Sequence, residues 1–152
     1  MKAYRIALVA VCAAMISLVG NADDAEKKVT KVKCVVAGKE INIADAKVVE
    51  YKKAKVYVCC GGCKAKMEAD ASKYAVKANH QLFLTGQYKQ VKCPMAGRPV
   101  NPEKTVKMGG VTVGFCCPGC QGKASKAEGD AQLKLAFSDA AFKKGFALKA
   151  AE

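Results

Sequence analysis

The chain has 152 residues, of which 51% are apolar, and a formal charge of +13 at neutral pH. Large core-forming side chains are scarce, since there is no Trp and only five Phe and five Tyr. A chain with so few bulky side chains builds a thin core, and modules of about 40 residues generally need a metal or disulfides to stay folded.

The N-terminus has the pattern of a secretory signal peptide. Lys2 and Arg5 give a positive start, and residues 6–19 form an apolar run that is short for a membrane-spanning helix. Small residues follow, so we expect residues 1–22 to be removed by cleavage before Asp23. An uncleaved anchor is the alternative. The pattern predicts a periplasmic or secreted protein without a stable membrane anchor after cleavage.

Removal of this segment takes away two positive charges and no acid, so the formal charge falls from +13 to +11. Residues 23–31 are charged and aperiodic, which predicts a flexible lead. Nearly all the positive charge is Lys, and Arg98 is the sole Arg of the mature chain. Arg dominates bidentate phosphate recognition, whereas Lys suits a solvated surface. We therefore expect no specific nucleic-acid partner, while an anionic surface or a metal-trafficking protein stays open as a partner.

An internal repeat is the strongest feature of the chain. Residues 32–42 read Val-Lys-Cys-Val-Val-Ala-Gly-Lys-Glu-Ile-Asn, and residues 91–101 read Val-Lys-Cys-Pro-Met-Ala-Gly-Arg-Pro-Val-Asn. A Cys-Cys-x-Gly-Cys motif follows in each copy. All eight mature cysteines fall within the two copies, four in each. We therefore divide the mature chain into a first Cys-rich module, residues 32–86, and a second, residues 87–152.

In the first module, Gly38 is expected to have a positive φ in a tight turn, as is Gly97 in the second. β-branched residues within 48–58 predict a hairpin. Apolar residues at helical spacing after Cys63 predict a helix that ends near Asn79.

The second module begins with a clearer hairpin, because Gly109-Gly110 lies between alternating Val positions. A shorter helix should follow Cys120 and end near Gly129. Alternating apolar residues over 131–137 predict a strand. Ser138-Asp139 is an N-cap signal for a short last helix that ends at Gly145.

The cysteine spacing suits a thiophilic metal. Thiolates select ions such as Zn(II) and Cu(I), and a four-coordinate site needs ligands from separate backbone segments. A Cys on a turn and a Cys pair at a helix start meet this need, and the helix dipole favours the thiolate. We expect about one ion per module, with these candidate ligands: Cys34, Cys59, Cys60, Cys63, Cys93, Cys116, Cys117 and Cys120.

The motifs resemble the TRASH and YHS-like heavy-metal-binding modules, most closely at Cys-Pro-Met-Ala-Gly (93–97) and Phe-Cys-Cys-Pro-Gly-Cys (115–120). The tandem pair is also similar to small secreted two-copy proteins of planctomycete-like bacteria. The resemblance implies an α+β fold of two small treble-clef-like modules, each with a Cys turn, a β-hairpin, a helix and a following short strand. It also implies roles in metal trafficking, resistance or sensing. Carried over to this chain, the family ligands are Cys34, Cys59 and Cys63, with Cys93, Cys116 and Cys120.

Two departures from the family pattern stand out. Val35 replaces the Pro after the leading Cys of the first copy, which leaves the geometry of that turn open. Cys60 and Cys117 are additional to the pattern. We favour them as fourth ligands, with disulfide partners or unligated thiols as alternatives.

Two other functions compete with metal binding. Export favours a disulfide-stapled structural or interaction protein, and eight cysteines can form four bridges. A Cys-x-x-Cys at a helix start can also serve a dithiol oxidoreductase, but the βαβ pattern of thioredoxin-like folds is missing. His80 is the only histidine and lies a helix away from the cysteines, so we expect a surface or inter-module hydrogen-bonding role. Without a triad or an acid pair, we expect no enzymatic activity.

Overall fold

The computed structural model describes residues 29–149 as short antiparallel ribbons and helices. The predicted signal peptide and residues 23–28 of the lead lie outside the described residues, and the end of the lead, Lys31, already belongs to a strand. None of the helices described between residues 29 and 149 is long and apolar enough to cross a bilayer.

The strands pair two by two into antiparallel ribbons, β1 with β2, β3 with β4, β5 with β8, and β6 with β7. They are β1 (Lys31–Lys33), β2 (Glu40–Asn42), β3 (Lys47–Tyr51), β4 (Ala54–Val58), β5 (Tyr88–Gln90), β6 (Asn101–Met108), β7 (Val111–Phe115) and β8 (Phe146–Leu148).

The helices come in two groups, each following one of the hairpins β3–β4 and β6–β7. They are α1 (Gly61–Ala69), α2 (Ala75–Leu84), α3 (Pro118–Lys126), α4 (Gly129–Phe137) and α5 (Asp139–Gly145). The α+β class is thereby confirmed, and each half contains a Cys turn, a hairpin, a helix and a short strand. The strand that follows the helices of the first copy is β5, which lies just beyond the predicted module boundary at residue 86, and it pairs with β8.

The prediction of one helix from Cys63 to Asn79 was wrong, because the chain breaks after Ala69 and a second helix continues to Leu84. Asp70 causes the break. Its carboxylate accepts hydrogen bonds from the Ser72 hydroxyl at 2.6 Å and from the Lys73 amide at 3.3 Å. Asp side chains favour such local turns over a continuing helix.

The prediction of a strand over residues 131–137 was also wrong, since this segment forms α4. The alternating pattern is outweighed by composition, because Ala, Gln, Leu and Lys are good helix formers. The buried positions, Ala136 and Phe137, follow half-buried Gln132 and Leu133 at helical spacing. The α4 helix thereby packs against α2. The predicted last helix is present as α5, with Ser138 at its N-cap.

The core is one cluster shared by both halves. Four of the five Phe side chains gather in it, and Phe83 of α2 contacts rings of the second half, with centroids 5.9 Å from Phe137 and 4.9 Å from Phe146. Phe146 also stacks on Phe142, with centroids 5.0 Å apart. Because the bulky residues are few, both halves build their core around the same rings.

The tip of the first hairpin contacts the second half. Lys52 and Lys53 have φ angles of 51° and 62°, and this left-handed conformation costs about 1 kcal/mol per non-glycine residue. Lys52 offsets the cost through its Nζ, which donates to Asn79 Oδ1 at 2.9 Å and forms an ion pair with Asp139 at 2.5 Å. The same Nζ lies 5.2 Å from the centre of the Phe142 ring, which adds a cation–π contact.

The tip of the β6–β7 hairpin in turn contacts the first half. Gly109 and Gly110 have φ angles of 56° and 85°, as the predicted two-residue turn requires. A Cβ on Gly109 would lie 2.5 Å from His80 Nε2, whereas one on Gly110 would meet no atom within 4 Å. Each hairpin tip therefore joins the two halves.

These two glycines give a matched pair of variants. Both Gly109→Ala and Gly110→Ala carry the backbone cost of a positive φ, about 1 kcal/mol. Only Gly109→Ala also displaces His80, so its free energy of unfolding should fall by a further 1 kcal/mol or more, roughly the cost of overpacking. Denaturant titration at fixed, saturating Zn(II) measures both. Equal losses would show that the tip does not press on His80.

Asp139 gives a pH-dependent test of the first tip. Partial burial raises the pKa of this carboxyl, but hydrogen bonds from Lys52 and Asn79 outweigh that effect and lower it overall. A lowered folded-state pKa contributes stability that is present above the ordinary value and is lost as the pH falls through the folded one. Because the side chain is 56% exposed, we expect Asp139→Asn to cost only about 0.5–1 kcal/mol at pH 7.

The measurement is the free energy of unfolding of both proteins between pH 7 and pH 3. The difference should shrink as the pH falls below 4. Glu103→Gln, at an exposed position of β6, removes the same charge without this ion pair and serves as the control. A constant difference across the pH range would exclude a contribution from the Asp139 charge.

Candidate metal centres

A tight turn holds the leading cysteine of the first half. The Cys34 amide donates to the Lys39 carbonyl at 2.8 Å, and the Gly38 amide donates to the Cys34 carbonyl at 2.8 Å. Gly38 has φ of 71°, as the sequence predicted. Val35, which stands where the family pattern has Pro, is buried and leaves this hydrogen-bonding pattern intact.

The second half repeats the same turn. The Cys93 amide donates to the Arg98 carbonyl at 2.8 Å, and the Gly97 amide donates to the Cys93 carbonyl at 2.7 Å. Gly97 has φ of 69°. Both leading cysteines are therefore held in buried turns of the same hydrogen-bonding pattern, Cys34 with 1% and Cys93 with 0% of its surface exposed.

The remaining cysteines lie where a hairpin strand passes into a helix. In the first half, Cys59 follows β4, Cys60 is the N-cap of α1, and Cys63 lies in its first turn. In the second half the same positions are held by Cys116, Cys117 and Cys120, the latter two at the start of α3.

Three sulfur atoms converge in each half. The Sγ atoms of Cys34, Cys59 and Cys63 lie within 4.8 Å of one another, and Cys59 and Cys63 are 3.5 Å apart. A tetrahedral zinc site with Zn–S bonds of about 2.3 Å separates its sulfurs by about 3.8 Å. The cluster therefore fits a metal ion after only small side-chain adjustments.

The second cluster has the same form. The Sγ atoms of Cys93, Cys116 and Cys120 lie within 4.8 Å of one another, and Cys116 and Cys120 are 3.9 Å apart. These two clusters contain the six ligands that the family resemblance implies. They are the only groups of three potential ligands found within residues 29–149.

Backbone amides stabilise the thiolate form of one cysteine in each cluster. The amides of Ala37 and Cys59 each donate to Cys34 Sγ at 3.4 Å. Burial raises the pKa of the Cys34 thiol, but these amides outweigh it, and the net pKa is lowered. Cys93 has a lowered pKa for the same reasons, with amides of Ala96 and Cys116 acting against burial.

The partner thiols have the opposite tendency. The hydrogen bond to Cys59, together with burial, raises the pKa of Cys63 to about 12. Burial, followed by the hydrogen bonds to Cys117 and Cys116, raises the pKa of Cys120 to about 12. In each metal-free cluster the leading cysteine is thus the thiol that ionises first, whereas a bound cation favours deprotonation of its neighbours as well.

Two glutamine side chains fix the strands that lead to these sites. Gln81 of α2 accepts from the Tyr57 amide at 2.6 Å and donates to the Tyr57 carbonyl at 3.0 Å. Gln90 of β5 accepts from the Gly114 amide at 2.9 Å and donates to its carbonyl at 2.7 Å. Both contacts lie two residues before the Cys pair. Sequence reasoning missed these roles, although Gln81 is a buried polar residue within an apolar stretch.

The two additional cysteines lie at the edge of the clusters. Cys60 is exposed, and its Sγ is 3.8 Å from Cys59 Sγ, but it is not one of the three mutually close sulfurs. Cys117 is half-buried and also lies outside its group of three. Their role as fourth ligands stays a prediction.

His80 lies at the interface of the two halves and belongs to neither group of three sulfurs. Its ring contacts Phe137 edge-on, with centroids 5.1 Å apart, and Nε2 lies against Gly109. This buried nitrogen has no hydrogen-bond partner among the described residues. The inter-module position is as predicted, but the contact is one of packing.

The eight cysteines of the described region are free thiols. The closest recorded sulfur pair, Cys59 and Cys63, is 3.5 Å apart, well beyond the bond length of about 2.0 Å for a disulfide. Three sulfurs in mutual contact are the arrangement that a shared cation requires.

No protein-family model, curated protein or solved structure matches this chain. Assignment of the site therefore rests on its geometry, and the TRASH and YHS-like resemblance stays a prediction.

The raised thiol pKa values predict proton release on metal binding. Cys59 and Cys63 both have raised pKa values, so they are protonated at neutral pH and must lose their protons to bind an ion. We expect at least two protons released per ion, from Cys59 and Cys63, and an affinity that rises with pH near neutrality. Isothermal titration calorimetry in buffers of different ionisation enthalpy counts the protons. A release of less than one proton per ion would contradict this protonation pattern.

Proposed function

We propose that this chain is an exported, non-enzymatic protein that holds one thiophilic ion, Zn(II) or Cu(I), in each half. The observation that supports it is the convergence of three sulfurs within 4.8 Å, formed twice from a turn, a strand end and a helix start. Soft thiolates at this spacing select thiophilic ions over Mg(II) or Ca(II), which prefer oxygen ligands.

The leading cysteines would act as anchors. Cys34 and Cys93 are almost completely buried in preformed turns, and backbone amides stabilise their thiolates. The less buried Cys59 and Cys116 would then close on the ion together with Cys63 and Cys120. Burial of the anchors limits access of water to the metal–sulfur bonds.

A bound ion would also stabilise the fold. Cys34, Cys63 and Cys93 are part of the hydrophobic core, and a bound cation would allow the sulfurs of a cluster to be charged together there. Structural zinc sites contribute roughly 10–16 kcal/mol of folding free energy at neutral pH. A contribution of this size compensates for the small number of bulky core residues.

Handling of thiophilic ions outside the cytoplasm is the purpose that fits best. The signal-peptide pattern of residues 1–22 supports export, and an exported ion carrier can sequester or deliver its ion to a partner protein. The Lys-rich surface also supports attraction to anionic surfaces. These roles need no catalytic group.

The disulfide and dithiol-oxidoreductase alternatives have less support. A disulfide framework would pair the sulfurs, but the described thiols form groups of three. A dithiol redox centre needs only two cysteines, whereas here a third buried sulfur, Cys34 or Cys93, closes each cluster.

Metal titration of the mature, reduced protein tests the proposal. Native mass spectrometry should show two Zn(II) or two Cu(I) ions per chain. The variants Cys34→Ala and Cys93→Ala should each bind one ion, and the double variant should bind none tighter than micromolar. Each single variant is the matched control for the other, because the turns share one hydrogen-bonding pattern. We also expect binding to raise the denaturation midpoint.

Two results would contradict the proposal. One is an unchanged stoichiometry in both single variants, which would place the ions elsewhere. The other is protein isolated from its native compartment with bridged cysteines and no metal, which would favour the disulfide alternative.

A further inference from the structure

We propose that the two sites divide the work. The site of the first half passes its ion to an external thiol through Cys60, whereas the site of the second half retains its ion. This inference rests on the proposed function, since it concerns the partner of the same sites. The chemical class of the partner is a protein or peptide with a pair of exposed thiols.

The exposure of the fourth cysteine differs between the two halves. Cys60 is exposed, and its Sγ lies 3.8 Å from Cys59 Sγ. Cys117 occupies the same position before α3 but is half-buried. An incoming thiol can therefore reach Cys60 more easily than Cys117, whereas within the groups of three Cys63 is the buried residue and Cys120 the half-buried one, so access to the first site runs through Cys60.

The stiffness of the following backbone differs as well. Cys60 and Cys117 have nearly the same conformation, with φ and ψ of −157° and 170° against −155° and 164°. The residue after each, at the first position of the helix, is Gly61 in one case and Pro118 in the other. Gly populates many conformations, whereas Pro fixes φ near −65°. The two sites thus have nearly the same backbone conformation at the fourth cysteine. Gly61 leaves the backbone after Cys60 free to change conformation, whereas Pro118 restricts it after Cys117.

The start of α3 is also held by a side-chain hydrogen bond to β6. Gln121, which follows Cys120 in α3, donates from its side chain to the Thr105 carbonyl of β6 at 3.1 Å. The matching residue of the first half is Lys64, whose side chain instead forms an exposed ion pair with Glu68 at 3.8 Å. The first turn of α3 is therefore anchored to its neighbouring hairpin, and the recorded side-chain contact of Lys64 stays within α1.

The transfer step is a ligand exchange without oxidation or reduction. An acceptor thiol gives its proton to solvent, and its sulfur forms a bond to the ion. The bond between the ion and Cys60 breaks, and the Cys60 thiolate takes up a proton from solvent. The second acceptor thiol displaces a further cysteine in the same way. Water or a second dithiol then replaces the two remaining cysteines, each of which takes up a proton from solvent, so the ion leaves the site with its charge unchanged.

The structure offers a reciprocal exchange of residues as a test. Gly61→Pro should be tolerated, because a Cβ at Gly61 meets no atom within 4 Å and the first helical position needs no amide hydrogen bond. The extended Cys60 also has the backbone that a following Pro requires. Pro118→Gly introduces the flexible residue into the second half.

The experiment uses the full mature chain loaded with two Zn(II) ions, and excess dithiothreitol serves as the dithiol probe. Release of zinc, followed by stopped flow with a chromogenic indicator, should show two phases of one ion each, with rates at least tenfold apart. Gly61→Pro should slow the fast phase by about tenfold and leave the slow phase unchanged. Pro118→Gly should speed the slow phase. Circular dichroism verifies that each variant is folded.

The kinetics of zinc release distinguish this inference from its alternatives. Two phases that respond as described support the division of work. A single phase, or a fast phase that responds to Pro118→Gly rather than to Gly61→Pro, overturns it while leaving metal binding by both halves intact. A failure to load two ions overturns this inference together with the proposed function.

Discussion

The main constraint on each half of this protein is the repulsion between negatively charged sulfur atoms that lie close together. Three thiolates within 4.8 Å repel one another, and burial adds the cost of removing their charge from water. The fold meets the first part of this cost with backbone amides at Cys34 and Cys93. The remaining cost of repulsion and burial is removed only when the thiolates take up protons or bind a cation. The stability of the clusters therefore depends on both pH and metal.

The shared core explains how so short a chain supports two such sites. Neither half has enough bulky residues for a core of its own, and the rings of Phe83, Phe137 and Phe146 pack across the boundary. The hairpin tips at Lys52 and Gly109 cross the same boundary in opposite directions. The strands that deliver the cysteines are therefore held by contacts from both halves, which positions the sulfurs before any ion arrives.

Much of the site could be predicted from the sequence, because the spacing pointed to four cysteines in each half and the family resemblance implied the three that the structure brings together. The Cys34 turn, the hairpins and the helix starts depend on local signals, namely Gly at positive φ and paired turn residues. The strand predicted over 131–137 was wrong, since its alternation competed with helix propensity and with packing on α2. The role of Gln81 could not be found, because its partner at Tyr57 is distant in sequence and becomes a neighbour only after folding.

The reciprocal contact of the hairpin tips has a consequence for how this protein can be dissected. A fragment that ends between the halves would leave Lys52 without its acidic partner and His80 without the glycine that covers it. It would also expose Phe83, an aromatic surface that promotes self-association. Metal-binding constants measured on such an excised half would describe an aggregating peptide rather than the native site, so the intact chain is the smallest meaningful unit for biochemistry.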